Sequence, residues 1–82
     1  MRSSNSHNDA LTYFDKALTI NPNNVEALHQ KGLLYASFNS HNDALTYFDK
    51  ALSINQNHFD TLLGKAISLA QAQLPQRRTE LL

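Results

Sequence analysis

Apolar residues fall in four stretches of helical spacing, separated by short polar breaks. In the third stretch, roughly Asn42–Ile54, they are Ala44, Leu45, Tyr47, Phe48, Ala51, Leu52 and Ile54. That rhythm puts them on one stripe of a helix and leaves the polar residues outside. The first stretch, about Asn8–Ile20, has the same rhythm, and the second and fourth cover about Val25–Phe38 and His58–Ala72. Each has a start signal. Ser6-x-x-Asp9 and Ser40-x-x-Asp43 resemble capping boxes, with a hydroxyl for a free backbone N–H and an acid for the positive helix end. Asn23-x-x-Glu26 and Asn57-x-x-Asp60 give the same signal in amide form. Pro22 stands in the turn before the second helix, where it breaks no hydrogen bond. With breaks of about two to four residues, consecutive helices must lie antiparallel and touch. Residues 6–73 are expected to form the helical domain, with a disordered segment at 1–5. Leu74-Pro75 ends the last helix, and 74–82 is expected to be a frayed tail or one more helical turn.

The stretches are not independent. Residues 5–18 and 39–52 are the same fourteen letters, NSHNDALTYFDKAL, displaced by 34 positions. Similarity continues beyond that block. Thr19-Ile20-Asn21-Pro22-Asn23 aligns with Ser53-Ile54-Asn55-Gln56-Asn57, and Val25-Glu26-Ala27-Leu28 with Phe59-Asp60-Thr61-Leu62. Lys31 maps onto Lys65 and Ala36 onto Ala70. Such a period is the length of one two-helix unit in a stacked array, in which no unit can bury its apolar face alone.

Within the period, the central unit reads Leu28-x-x-Lys31-Gly32-x-x-Tyr35, then Ala44-x3-Phe48 and Ala51. The upstream half shows Ala10-x3-Phe14, Ala17 and Pro22, and the downstream half Leu62-x-x-Lys65-Ala66-x-x-Leu69. On these residues the chain resembles a tetratricopeptide-repeat protein over about residues 6–72. The resemblance implies an all-α fold, a short α-solenoid of about four helices with right-handed superhelical drift, in the order B-A-B-A. One full repeat then lies between two half-repeats. Physically, Gly32 and Ala44 are small where helix axes approach, and Tyr35 and Phe48 fill the space between paired helices. The expected core is Leu11, Phe14, Leu18, Leu28, Tyr35, Phe48, Leu52 and Leu62. Lys31 and Lys65 depart from the family's leucine, so one contact per unit is weakened or replaced by a lysine stem. Gln56 replaces the proline seen at Pro22, Ala66 the glycine and Leu69 the tyrosine.

The resemblance also implies a role in holding other polypeptides. By register, the A-type helices would line a peptide-binding groove with Glu26, His29, Gln30, Leu33 and Ser37 from one helix. The next gives Asp60, Leu63, Gly64, Ile67 and Gln71. The family's carboxylate clamp needs lysine, arginine and asparagine there, so acidic C-terminal tails do not fit. The mixture here suits an apolar segment with a basic residue. The first and last helices carry core-type residues instead of the polar caps that usually close such arrays. Tyr13, Phe14, Leu18, Leu62 and Leu69, with Ile67, are therefore expected to mediate self-association, giving a homo-oligomeric scaffold.

Composition narrows the alternatives. In 82 residues, seven basic and seven acidic side chains cancel, so the basic footprint of a nucleic-acid binder is missing. The alternative to self-association is a monomeric peptide-binding module with that acidic and apolar groove. An aromatic ladder at Tyr13-Phe14 and Tyr47-Phe48 would suit a single-stranded nucleic-acid binder, but acids follow directly at Asp15 and Asp49 and disfavour it. Without cysteine there is no disulfide, thiolate zinc site or thiol nucleophile. No stretch is long and apolar enough for a spanning helix or signal core, and the expected location is cytoplasmic. His7 and His41, as repeat equivalents, should stand about 10 Å apart, too far to share a zinc. No His-x3-His pair exists, His58 lies near a helix start, and His29 is expected on an exposed face; no metal or cofactor is expected. His7 with Asp9 and His41 with Asp43 occupy capping positions, with no nucleophile beside them and no phosphate loop. The reading is a non-enzymatic interaction module.

Overall fold

The computed structural model describes residues 6–73, and the proposed terminal segments at 1–5 and 74–82 lie outside that range. Four helices follow one another: α1 (Ser6–Ile20), α2 (Val25–Ser37), α3 (His41–Ile54) and α4 (Phe59–Gln73). The fold is all-α, and there is no strand among the described residues. Each helix packs on the next, and α2 also touches α4, whereas α1 and α3 do not meet. The stack therefore bends with α2 and α4 on its inner side.

The turns explain how the repeat tolerates Gln56 in place of Pro22. In both, an asparagine side chain closes the loop: Asn23 N–H donates to Asn21 Oδ1, and Asn57 N–H to Asn55 Oδ1. The residue between them need only occupy the turn, so proline is optional there. Helix caps lie one residue later than the Asn-x-x-acid pattern suggests. Asn24 caps α2 by accepting from Ala27 N–H, and His58 Nδ1 accepts from Thr61 N–H before α4. Ser40 precedes α3 but makes no side-chain capping bond. Between α2 and α3, Asn39 takes a left-handed φ of 65°. Asn39 N–H then reaches Ala36 O and Ser40 N–H reaches Tyr35 O, which closes the end of α2.

Phe48 is the centre of the core and is fully buried, with Ala44 and Ala51 beside it on α3. Its ring lies over two glycines: a Cβ on Gly32 would meet Phe48 Cε1 at 2.5 Å, and one on Gly64 would meet Cζ at 3.0 Å. Small residues at these points let α2 and α4 both close on one aromatic ring, near its Cε1–Cζ edge. Leu28 is buried as expected, and Leu11, Phe14, Leu18, Tyr35 and Leu52 are half-buried. Leu62 corrects the expected core: it is 45% exposed, while its neighbour Thr61 is fully buried. Leu62 repeats Leu28, but α4 has no following helix among the described residues to cover that face.

Candidate functional site

Two surfaces and one buried cluster carry the chemistry of this stack. The first surface is the inner side of α2 and α4. Leu33 on α2, with Leu63 and Ile67 on α4, is exposed there. Glu26, Ser37, Asp60 and Gln71 are also exposed, and Gln30 is half-buried and donates its amide to Glu26 Oε2 at 2.8 Å. Phe59, which the family register does not place in the groove, is exposed one turn before Leu63. Phe59, Leu63 and Ile67 follow i, i+4, i+8 spacing and so form one apolar stripe on α4. That spacing is itself legible in the sequence. Gly64 lies beneath the stripe, buried against Phe48. His29 does not join this surface: only 5% of it is accessible, contrary to the expected exposed position.

The second surface is formed by the outer faces of α1 and α4. Tyr13 is 66% exposed and Leu69 39%, and Leu62 shares the α4 face. Phe14 and Leu18 on α1 are half-buried. The repeat copies of these residues meet inside the molecule. Tyr47 stacks on Tyr35 with ring centroids 5.4 Å apart and planes 6° from parallel. Leu28, the copy of Leu62, is 4% exposed.

The buried cluster joins α2 to α4. The Thr61 hydroxyl lies 2.7 Å from His58 Nδ1 and 3.1 Å from His29 Nδ1. The imidazoles are 5.5 Å apart, and His29 also lies 5.8 Å from the Phe48 ring. Glu26 Oε1 stands 3.8 Å from His58 Nε2. Burial pushes His29 below its ordinary value; nearby Glu26 and Asp60 oppose this and His58 adds to it. At the start of α3, His41 Nδ1 is buried without a hydrogen-bond partner, so Asp43 does not engage that nitrogen. No group of three or more metal-ligating side chains gathers among the described residues.

A cleft of about 510 Å3 opens between α1, α2 and α3. Lys31, Asp15, Tyr47 and Lys50 line it, and none of the inner-side residues does. The two ammonium groups sit 4.6 and 5.0 Å from the Tyr47 ring centre. Lys31 is paired with Asp15 and Lys65 with Asp49, so these lysines are held by acids of the neighbouring helix.

Residues 13–46, one full period, match the tetratricopeptide repeat family. With the stacked helix pairs, this match supports a tetratricopeptide-repeat protein. The family is one of interaction modules, generally scaffolds without catalysis of their own. No curated protein and no solved structure matches the chain significantly. No helix among the described residues is long and apolar enough to cross a membrane.

Proposed function

We propose that this chain is a non-enzymatic, cytoplasmic protein–protein interaction scaffold that self-associates. The outer face of α1 in one molecule would pair with the outer face of α4 in another. The supporting observation is the contrast between repeat copies. Tyr47 and Phe48 of α3 cover Tyr35 and Gly32 of α2, whereas Tyr13 of the identical segment in α1 is exposed. On α4, Leu62 and Leu69 are likewise exposed where Leu28 is buried and Tyr35 half-buried. A second molecule's α1 offers α4 the same side chains that α3 offers α2. The contact uses two different surfaces, so it closes into a dimer or ring or grows as a filament. Sedimentation or light scattering at about 100 µM, which populates contacts of micromolar affinity, should give a mass above the monomer. A strict monomer there would overturn the reading.

The exposed apolar stripe of Phe59, Leu63 and Ile67 on α4, with exposed Leu33 and Glu26 on α2 and Asp60 on α4, supports a second surface. It suits an apolar peptide segment carrying a basic residue. Leu33→Glu should abolish binding of a labelled peptide of that design while leaving the assembled mass unchanged. A single-stranded RNA should give no salt-dependent shift, because Asp15 and Asp49 accompany the aromatic ladder.

A further inference from the structure

Three differences between the repeat copies meet at one point in space. Asn24, Ala27 and Leu63 have as their counterparts His58, Thr61 and His29. The first copy caps its helix with a neutral amide, Asn24 to Ala27 N–H. The second replaces that pair with His58 and Thr61 and brings His29 across from α2 to complete a buried polar chain.

Counting hydrogens assigns the protonation. Thr61 N–H donates to His58 Nδ1 at 3.3 Å, so that nitrogen carries no proton and His58 is the Nε2–H tautomer. The Thr61 hydroxyl then donates to the same Nδ1 at 2.7 Å. The hydroxyl oxygen in turn accepts from His29 Nδ1–H at 3.1 Å. One proton on each ring satisfies every one of these bonds. A proton added at His58 Nδ1 would point at the Thr61 N–H donor, remove the cap of α4 and force the bond to the Thr61 hydroxyl to reverse its direction. It would also put positive charge at the positive end of that helix. A proton added to His29 would place a cation between the Phe48 ring and a second imidazole.

We propose that His29, Thr61 and His58 form a pH-sensitive joint that holds α4 against α2 while both imidazoles are neutral and releases it on acidification. The charged groups facing the joint are Glu26 from α2, whose Oε1 stands 3.8 Å from His58 Nε2, and Asp60 from α4, and α3 presents the apolar Phe48 ring. Both acids are exposed and therefore largely solvated, so neither provides a buried counter-ion. The direction of the effect follows from His29. Its value in the folded chain lies below the ordinary 6.5, so the unfolded chain takes up a proton first. Its stabilising contribution is full above about pH 6.5 and is lost as pH falls through the lower folded value. Because α2 and α4 form the inner side of the stack, loosening α4 also shifts the Phe59–Leu63–Ile67 stripe relative to α2.

The test is the midpoint of thermal unfolding at about pH 7.5 and about pH 5.5, on either side of the ordinary imidazole value. The wild-type midpoint should fall by about 5 °C, the shift that roughly one kcal/mol makes in a domain of this size. His58→Asn restores the neutral cap of the first copy. The double variant His29→Leu with Thr61→Ala restores its apolar pair. Each should lose more than half of the acid-induced fall. His7 and His41 are present in every variant, so their contribution cancels. A fall that is unchanged in both variants, or absent from the wild type, overturns the proposal. Nitrogen-15 NMR of wild-type histidines gives an independent reading that needs no variant. His58 should appear as the Nε2–H and His29 as the Nδ1–H tautomer near pH 7.5, and the opposite pair overturns it.

Discussion

Lys31 on α2 places its Nζ 2.5 Å from a carboxylate oxygen of Asp15 on α1, and Lys65 on α4 reaches Asp49 on α3 in the same way at 2.7 Å. The pair thus recurs with the period. A leucine in the family pattern would bury its side chain between these helices. Lys31 buries its stem instead, with only 11% of the side chain accessible, and sends its charge to an acid supplied by the preceding helix. Burial alone would lower the Lys31 ammonium, but the hydrogen bond to Asp15, helped by Tyr47, raises it above its ordinary value. Asp15 itself is half in solvent, so the pair acts chiefly to keep the lysine head satisfied.

Asp15→Asn should therefore destabilise the domain by about 1–3 kcal/mol, because it leaves a buried ammonium without its acid. Lys31→Leu should be close to neutral, since the orphaned Asp15 is hydrated and the leucine fills the gap left by the stem. Urea denaturation of both variants at neutral pH checks the order. The sign with pH is also defined. The raised Lys31 value means that the pair's contribution is present below the ordinary 10.5 and is lost as pH rises through the folded value. Asp15→Asn should flatten that alkaline loss.

The Phe48 ring makes a second prediction. Phe48→Ala should cost on the order of 3–5 kcal/mol, the usual range for a fully buried aromatic, and so unfold much of a domain this small. Gly32→Ala gains about 1 kcal/mol of helix propensity but drives a methyl against two ring carbons at 2.5 and 2.6 Å. The overpacking should win, with a net loss of stability. Gly64→Ala meets the ring edge at 3.0–3.2 Å and should be better tolerated. Melting temperatures of the three variants decide the order, and an unchanged value for Phe48→Ala would contradict its central place.

The exact 34-residue displacement makes the helix order legible in the sequence, because equal sequence in equal phase must solve the same packing problem. Phe48, Gly32, Ala44 and Ala51 are legible for the same reason. His29 is not. A single apolar stripe is the pattern of a helix covered on one side, but α2 is covered by α1, α3 and α4. It therefore buries a wider arc, in which Ala27, Leu28, His29, Lys31 and Gly32 are all enclosed. Leu62 fails in the opposite direction: it carries the letter of a buried position on a helix with fewer neighbours. The link from Thr61 to His29 spans 32 residues and two turns of the chain, and local spacing does not carry it.

The self-association reading gains a sharper test from one departure between the copies. Inside the molecule, the Phe48 ring approaches α2 so closely that a Cβ on Gly32 would lie 2.5 Å from it. The counterpart of Gly32 on α4 is Ala66, and the counterpart of Phe48 on α1 is Phe14. A second molecule docking its α1 on α4 as α3 docks on α2 would bring Phe14 against the Ala66 methyl. The two helices must then sit farther apart than α2 and α3 do, and the intermolecular contact is weaker than its internal template. Ala66→Gly removes the obstruction. Its cost to helix propensity falls on the free and the assembled molecule alike, so it cancels from the association equilibrium. The variant should associate about 5- to 10-fold more tightly, the factor that roughly 1 kcal/mol produces. Leu69→Glu places a charge on the same face and should disperse the assembly while leaving the monomer folded, because Leu69 lies outside the core. Sedimentation equilibrium of the wild type and both variants separates the outcomes. Association that Leu69→Glu leaves intact would move the contact to another surface. Association unchanged by Ala66→Gly would mean that Phe14 does not take the place of Phe48.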